Sequence, residues 1–194
     1  MSRYSFDWVD AFTDRPFGGN GCAVVHGAAS LPAEVCMAYV QETSLVECTF
    51  TGPSEVADVH VRYFLASREI PFAGHPTIAT VAAMRDGGLI ADGEITLETG
   101  AGIVPVVIKD GLIEMTQIAP MFGMMADRDL VAAAISLPPE AILETPQVVS
   151  TGLPFCITLV RDQEALTAAR LDLSALEVLG QSLGADGIDV MEPF

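Results

Sequence analysis

Basic residues are scarce in this chain of 194 residues, which has 9 lysines and arginines against 26 aspartates and glutamates and a formal net charge of −17. Such an acidic chain repels nucleic acids and anionic membranes at long range, so we expect neither as a partner. An anionic substrate would be repelled as well, and its binding site must therefore use backbone amides and single Arg or His side chains. Lys109 is the one lysine, which argues against Schiff-base chemistry.

Cysteines are few and are spread along the chain. No two of them form a CxxC pair, and a GxGxxG dinucleotide fingerprint is missing too, so the sequence shows no zinc knuckle, dithiol or dinucleotide motif. Most of the cysteines lie within apolar stretches, where buried free thiols are ordinary. The sequence therefore predicts no metal ion and no cofactor. The four cysteines are Cys22, Cys36, Cys48 and Cys156.

Long hydrophobic runs are also missing, although the chain is 51% hydrophobic with a mean hydropathy of +0.44. No run approaches the roughly 18 consecutive apolar residues of a membrane-spanning helix. The N-terminal segment, residues 1–10, is polar and lacks the apolar centre of a signal peptide. We therefore expect a sizeable buried core, no membrane partner and a location in the cytoplasm.

The most informative stretch runs from Arg62 to Met84. Residues 61–65 are typical of a strand, and residues 78–84 are typical of a helix that begins at Pro76. Proline suits the first helical position, where the amide that it lacks would have no intrahelical partner. Free amides at such a helix start, together with the helix dipole, favour an anion, which predicts a carboxylate pocket with a histidine on its rim. The amides concerned belong to Gly74, His75 and Thr77.

Elsewhere the chain alternates between strand-like and helical segments, which predicts an α/β fold. Asp110-Gly111, between two such strands, is a strong hairpin signal, and a boundary falls near Ala119-Pro120. Before the boundary, strands are predicted at residues 4–12, 22–25, 56–64, 94–99, 103–109 and 112–116, and a helix at residues 32–43. After it, helices are predicted at residues 127–135, 139–143 and 173–183, and strands at residues 147–150, 155–160 and 187–190.

Three motifs, in their order and spacing, carry a family resemblance. They are VDAFTDRPFGGN at residues 9–20, ETSLVECTF at residues 42–50 and GHPT at residues 74–77. A later stretch, QVVSTGLP at residues 147–154, also fits. With these motifs the chain resembles the phenazine-biosynthesis PhzF-like family, whose fold is that of diaminopimelate epimerase. The likeness spans the whole chain.

The resemblance implies an α/β (α+β) fold in which a curved sheet or barrel wraps around a central helix, in two pseudo-symmetric lobes. Residues 1–120 would form the first lobe, which carries the site, and residues 121–194 part of the second. The family's second half has an Asp-Pro-x-Thr-Gly-Ser motif that this sequence does not reach. We therefore expect an incomplete second lobe with an uncovered apolar face. Such faces promote association, so a polypeptide ending at Phe194 should be oligomeric or poorly soluble, and catalytically weak.

Glu47 is the strongest candidate for a catalytic residue. It is an acid inside the apolar stretch of residues 45–50, where an ionised carboxylate is costly unless it is paired. Burial should raise its pKa, which suits a group that takes and gives a proton near neutral pH. The alternative from the residues alone is a strand residue that faces solvent. The resemblance implies that Glu47 is the general acid/base and that His75 acts in the substrate site.

The resemblance also implies substrate-binding positions around these two residues. The presence of Asn20 is explained equally simply by the tight turn that it forms with Gly18 and Gly19. A histidine at a helix start, such as His75, is itself often a cap or a hydrogen-bond donor. The implied binding positions are Asn20, Ser44, Gly74, Pro76 and Thr77.

The function that the resemblance implies is that of a cofactor-independent isomerase, a homodimer that moves a proton between carbons of a small unsaturated or amino carboxylic acid. A second hypothesis is an epimerase, racemase or dehydratase of the same fold. Racemases of this fold use paired cysteines, one of them just before the glycine that opens the helix, and Ala73 stands there in this chain. Cys48 adjoins Glu47 but on a strand would face the opposite side. A third hypothesis is a truncated relative that binds a metabolite or partner without turnover.

Overall fold

A computed structural model of the chain describes residues 3–117, 119–151 and 153–184. The chain forms two compact units, unit 1 with residues 1–117 and unit 2 with residues 118–194. In the described part of the chain, no helix combines the length and the apolar character that a membrane span requires.

Unit 1 is built on one mixed sheet. Its strands are β1 (Phe6–Ala11), β2 (Asn20–Val25), β3 (Glu47–Gly52), β4 (Val59–Phe64), β5 (Glu69–Ile70), β6 (Gly93–Thr99), β7 (Gly102–Lys109) and β8 (Leu112–Met115). Their order is β1-β2-β3-β4-β6-β7-β8, with β5 beside β4. Two neighbouring pairs are parallel, β2 with β3 and β4 with β6. Parallel strands need a crossover, which α1 (Ala33–Thr43) and α2 (Gly74–Asp86) supply.

A helix packs on each face of this sheet. On one face, Phe50 of β3 lies in a buried cluster with Val40 of α1. On the other face, Val24 of β2 lies in a buried cluster with Ala79 of α2. Seven of the 13 residues of α2 are buried, and they are distributed around the helix, so the sheet curls around it. The predicted α/β fold with a curved sheet around a central helix is therefore confirmed.

The start of α2 differs from the prediction. The helix begins at Gly74, and Pro76 is its third residue rather than its first. The first amides of a helix have no acceptor four residues earlier, so proline is tolerated throughout the first turn and does not mark its first residue. Ala73, which precedes the helix, has an extended conformation.

In its described residues, unit 2 contains a three-stranded antiparallel sheet and three α-helices. The strands are β9 (Met121–Met125), β10 (Gln147–Ser150) and β11 (Pro154–Ile157), with β10 in the middle. The helices are α3 (Arg128–Ala134), α4 (Gln163–Ala168) and α5 (Leu173–Leu183). Aspartate side chains cap the first turn of each helix, and α3 and α5 enclose a core with Val148 of β10.

Part of the sheet of unit 2 has an apolar surface that nothing in the described residues covers. All five residues of β9 are exposed, and Phe122 and Met125 are 69% and 59% exposed. Phe122 pairs across the sheet with Val149, and Met125 pairs with Gln147, whose other neighbour Ile157 is 51% exposed.

Three short elements have no counterpart among the predicted ones. They are β5, β9 and α4. Strand β9 has the sequence MFGMM, which lacks the alternation of apolar and polar residues that indicates a half-buried strand. The predicted helix at residues 139–143 is a single 3₁₀ turn, Pro139–Ala141, and the predicted strand at residues 187–190 lies outside the described residues.

Candidate functional site

Glu47 and His75, the two predicted catalytic residues, lie side by side in unit 1. Glu47 is the first residue of β3, and His75 is the second residue of α2. The His75 Nδ1 atom lies 3.3 Å from Glu47 Oε2, and the two side chains are 9% and 7% exposed. The structure thus brings together, in a nearly closed space, an acid and an imidazole that are distant in sequence.

The sheet decides which way Glu47 points. Successive side chains of a strand face opposite sides, so Glu47 and Thr49 share one face of β3 and Cys48 takes the other. Thr49 Oγ1 lies 2.7 Å from Thr80 Oγ1 of α2, which identifies the Glu47 face as the one toward α2. Cys48 belongs to the buried cluster on α1. It therefore points away from Glu47, as its place in the strand predicts.

Burial is the main influence on the pKa of the His75 imidazole. It lowers the pKa of His75 below the ordinary 6.5, while the backbone of Gly21, beside the ring, raises it to a lesser extent. A neutral imidazole carries one N–H, and with that proton on Nδ1 it can donate to Glu47. The Nε2 atom is buried and has no hydrogen-bond partner within the described residues. A buried nitrogen left unpaired is costly, so a ligand that pairs with Nε2 would gain binding energy.

The first turn of α2 offers backbone amides to an anion. The amides of Gly74 and His75 lack an intrahelical acceptor because they lie in the first turn, and Ala73 has no side chain that could cap them. The prediction that the Thr77 amide is free is wrong, because this amide donates to the Ala73 carbonyl oxygen at 3.4 Å. Since Pro76 has no amide proton, two amides remain for a ligand at this turn.

Gly74 has a feature that the packing of the chain does not explain. Its backbone does not adopt the left-handed conformation that favours glycine. A Cβ at this position would meet only Gln117 Nε2, at an ordinary contact distance of 3.6 Å. Neither strain nor contacts with the described residues therefore require glycine here. The missing side chain leaves room for a ligand to approach the first-turn amides.

Two residues of this region carry no signal in the sequence. Gln117 follows β8 and places its side-chain amide next to Gly74. Tyr63 of β4 is fully buried, and its hydroxyl lies 2.8 Å from Thr77 Oγ1. Neither belongs to a recognised motif, and only the tertiary fold brings them to the start of α2.

The remaining predicted binding residues have different surroundings. Asn20 is exposed at the start of β2. Ser44 ends α1 in a left-handed conformation with a φ of 57°, and its amide donates to carbonyls of that helix. Pro76 and Thr77 are buried in α2, and the Thr77 hydroxyl donates to the carbonyl of Ala73 at 2.7 Å. Ser44 and Thr77 thus have internal partners, whereas Asn20 is open to a ligand.

The thiols near this site are poorly suited to act as bases. Burial raises the pKa of Cys22 and of Cys48, so both stay protonated at neutral pH. Their side chains also face opposite sides of the sheet, since Cys22 lies in the cluster on α2 and Cys48 in the cluster on α1. Within residues 3–117, 119–151 and 153–184, no three His, Cys, Asp or Glu side chains form a group that could hold a metal ion.

A cleft of about 1040 Å³ runs along α2 beyond the histidine. Ile78 and Ala82 of the helix line it together with residues of β1 and of the β7–β8 hairpin. Glu47 and His75 are not among the lining residues. Ile78 follows His75 by three positions, which places both on one side of the helix. The cleft and the Glu47–His75 pair therefore follow each other along the same side of α2.

We expect the stability of the chain to depend on His75 in mildly acidic solution. The pKa of His75 is lower in the folded chain than the ordinary 6.5, so the unfolded chain binds the proton more readily between these two values. The stability that this residue contributes is therefore complete above pH 6.5 and is lost as the pH falls through the folded pKa. Urea denaturation at a series of pH values should show a shallower acid slope for His75→Gln.

Equal slopes for the wild type and His75→Gln below pH 6.5 would contradict the burial of the imidazole.

Comparison with known proteins agrees with this fold and gives it a family. The family model described as phenazine biosynthesis-like protein matches residues 9–187. The uncharacterized isomerase YfhB of Bacillus subtilis (strain 168) is 32% identical over 164 residues, which are 80% of this chain and 56% of that protein. The trans-2,3-dihydro-3-hydroxyanthranilate isomerase of Pseudomonas aeruginosa is 32% identical over 164 residues, 79% of this chain and 58% of that protein.

A solved structure shows the same similarity. The PhzF-family phenazine biosynthesis protein of Bacillus anthracis superimposes with a TM-score of 0.83 at 28% identity and covers 94% of this chain and 64% of its own. This chain thus spans less than two thirds of the length of each of these three proteins. Because the family model matches well over half of its residues, the chain belongs to the phenazine biosynthesis-like protein family.

Proposed function

We propose that this chain carries the acid–base centre of a cofactor-independent isomerase, which moves a proton between two carbon atoms of a small unsaturated carboxylic acid. The observation that carries the proposal is the buried pair of Glu47 and His75 at the start of α2. In this scheme Glu47 is the general acid/base, and His75 orients it and contacts the substrate through Nε2. Relatives that match the chain are named isomerases, which supports the same class of reaction.

A single carboxylate is enough for the proton balance of such a reaction. The Glu47 carboxylate removes a proton from one carbon, and the electron pair of that C–H bond shifts into the unsaturated system of the substrate. The carboxylic acid so formed then protonates another carbon of the same molecule, and Glu47 ends ionised as it began. Its exposure of 7% limits the escape of the proton to water between the two steps.

The carboxylate of the substrate has a proposed place at the start of α2. The amides of Gly74 and His75 and the helix dipole favour an anion there, and the absent side chain of Gly74 leaves it room. The Gln117 side chain lies close enough to add a further hydrogen bond. These local donors offset the repulsion that a chain with a net charge of −17 exerts on an anion.

The name of one relative indicates the chemical class of the substrate. The Pseudomonas aeruginosa protein is named for trans-2,3-dihydro-3-hydroxyanthranilate, an unsaturated ring that carries a carboxylate, an amino group and a hydroxyl group. We propose for this chain a substrate of the same class, a small unsaturated amino carboxylic acid. The second hypothesis, an epimerase or racemase with paired thiols, lacks a suitable cysteine at Ala73 and faces protonated, buried thiols elsewhere.

Binding without turnover is the second candidate function. The observation that favours it is the pair of first-turn amides of Gly74 and His75, which can hold an anion without any proton transfer. Such a protein would bind a carboxylate at the start of α2 and leave its carbon atoms unchanged. Solvent deuterium distinguishes the two functions, because only turnover introduces it into the substrate.

We expect Glu47→Gln to abolish turnover and to leave the fold intact. The substitution keeps the shape of the side chain and removes only its titratable proton, and general acid–base groups typically contribute about 100-fold to 10,000-fold in rate. NMR of trans-2,3-dihydro-3-hydroxyanthranilate in D₂O with the 194-residue chain measures the exchange directly. A wild-type chain that binds this compound but introduces no deuterium into it would have the second candidate function, which is binding without turnover.

Cys48→Ala is the matched control for this experiment. Cys48 is the next residue of the same strand, but it faces the cluster on α1, so its loss should change the rate little. A Glu47→Gln variant that exchanges at the wild-type rate would refute Glu47 as the acid/base, and a Cys48→Ala variant as slow as Glu47→Gln would revive the thiol mechanism.

We expect Gly74→Ala to fold normally and to bind carboxylates more weakly. The added Cβ meets only the Gln117 side chain, and alanine favours a helix, so the thermal midpoint should not fall. The same Cβ occupies the space that we propose for the carboxylate, and we expect anthranilate to bind about tenfold more weakly by calorimetry. Equal affinity of both proteins for anthranilate would place the carboxylate elsewhere.

Self-association through unit 2 is a further part of the proposal, with a homodimer as its simplest form. The exposed strand β9, in which Phe122 is 69% exposed, supports it because uncovered apolar strands promote association. Light scattering should give a mass above the 20.5 kDa of one chain, and Phe122→Lys should lower it. A monodisperse wild-type monomer would contradict this expectation. The location in the cytoplasm and a role in biosynthesis stay predictions.

A further inference from the structure

The first turn of α2 is held by a side-chain hydroxyl more than by its backbone. Gly74 and His75 lie too early in the helix for an intrahelical bond, and Pro76 has no amide proton. The first backbone bond of the helix runs from the Thr77 amide to the Ala73 carbonyl and is long, at 3.4 Å. The Thr77 hydroxyl donates to the same carbonyl at 2.7 Å, which is a much better hydrogen-bond distance.

Tyr63 fixes the direction of that hydroxyl. A threonine has one hydroxyl proton, and the Thr77 proton is used on Ala73, so Thr77 can only accept from the Tyr63 hydroxyl 2.8 Å away. Burial raises the pKa of Tyr63, which keeps its phenol protonated and able to donate. The resulting chain of donors runs from β4 through Thr77 to the carbonyl that precedes Gly74 and His75.

A matched pair of hydroxyls lies one turn further along α2. Thr80 Oγ1 donates to the Pro76 carbonyl at 2.7 Å, and Thr49 of β3 lies 2.7 Å from Thr80 Oγ1. Both pairs are buried, and both tie α2 to the sheet in the same way. They differ in the carbonyl that they hold, because Thr77 binds the Ala73 carbonyl, which precedes the Gly74 and His75 amides, whereas Thr80 binds the Pro76 carbonyl, which follows them.

We propose that Tyr63 is a positioning residue of this site, which acts through Thr77 to hold the first turn of α2 so that His75 meets Glu47 and the Gly74 and His75 amides face the ligand. The role that we infer for Tyr63 rests on the proposed function, because that function makes the first turn of α2 a binding site. The contacts of Tyr63, Thr77 and His75 themselves do not depend on it. The contact between His75 and Glu47 is 3.3 Å long, at the edge of a hydrogen bond, so a small shift of the turn breaks it.

His75 itself reports on the position of the turn. The sequence contains three histidines, so NMR can resolve the His75 imidazole and follow it during a pH titration. In the wild type His75 should titrate below the ordinary 6.5, because it is buried. In Thr77→Val and in Tyr63→Phe, the loosened turn should change both the hydration of His75 and its contact with Glu47, and the His75 midpoint should shift by roughly half a pH unit.

Thr80→Val and Thr49→Val are the matched controls. They remove equivalent buried hydroxyls from the same helix and sheet and should cost similar thermal stability, but the His75 midpoint should move less than in Thr77→Val, because the Ala73 carbonyl before the first-turn amides keeps its hydroxyl partner. Thr77→Ser, which keeps the hydroxyl, should restore the wild-type midpoint. This rescue separates positioning from a general loss of packing.

Three outcomes would overturn the proposal. They are a His75 midpoint that shifts equally in Thr77→Val and Thr80→Val, a Thr77→Ser variant that behaves like Thr77→Val, and a folded Tyr63→Phe variant with the wild-type midpoint. If Tyr63→Phe fails to fold, the four threonine variants decide. The titration needs no substrate, so its result is independent of the deuterium-exchange experiment, which tests the proposed reaction through Glu47.

Discussion

A helix that is surrounded by its own sheet must satisfy every polar group inside the protein, and this constraint shapes unit 1. Helix α2 is buried on most of its circumference, yet it contains two threonines whose hydroxyls cannot reach water. The Thr77 hydroxyl donates to the carbonyl of Ala73, just before the helix, and the Thr80 hydroxyl donates to the carbonyl of Pro76, and each accepts from a hydroxyl of the sheet. The same four hydroxyls therefore satisfy the interior and set the rotation of α2 relative to β3 and β4.

The candidate site arises where this enclosed helix begins. An α-helix presents free amides at its start, and β3 directs its first side chain, Glu47, toward the same place. Enclosure has an electrostatic consequence as well, since burial lowers the pKa of His75 and keeps its imidazole neutral beside the carboxylate. The substrate carboxylate that we propose for this site would lie much closer to these donors than to the acidic groups of the surface, whose repulsion is screened by salt.

In unit 2, by contrast, part of the sheet is not covered by any of the described residues. Helices α3 and α5 bury one part of its core, around Val148 and Leu179. Strand β9 has no such cover among the described residues, and its methionines and phenylalanine lie exposed. An apolar surface of this extent favours contact with other polypeptide over contact with water.

Local patterns in the sequence were sufficient for much of the fold. Alternation and hydrophobic runs predict most strands of unit 1, and the helix at residues 173–183 agrees with α5. Prediction failed where the local signal was weak or ambiguous. Proline marks the first turn of α2 but not its first residue, and the uniformly apolar β9 has no period at all.

For the site, the sequence by itself singled out the candidate residues Glu47, His75 and Gly74, together with the family resemblance of their motifs. Only the tertiary structure decided that the acid and the imidazole lie 3.3 Å apart, that the Thr77 amide is bonded and that Tyr63 and Gln117 reach the start of α2. The reason is physical: residue type and spacing set local conformation and polarity, whereas contacts between distant strands and a helix depend on the pairing of the sheet and on the way its curl encloses α2.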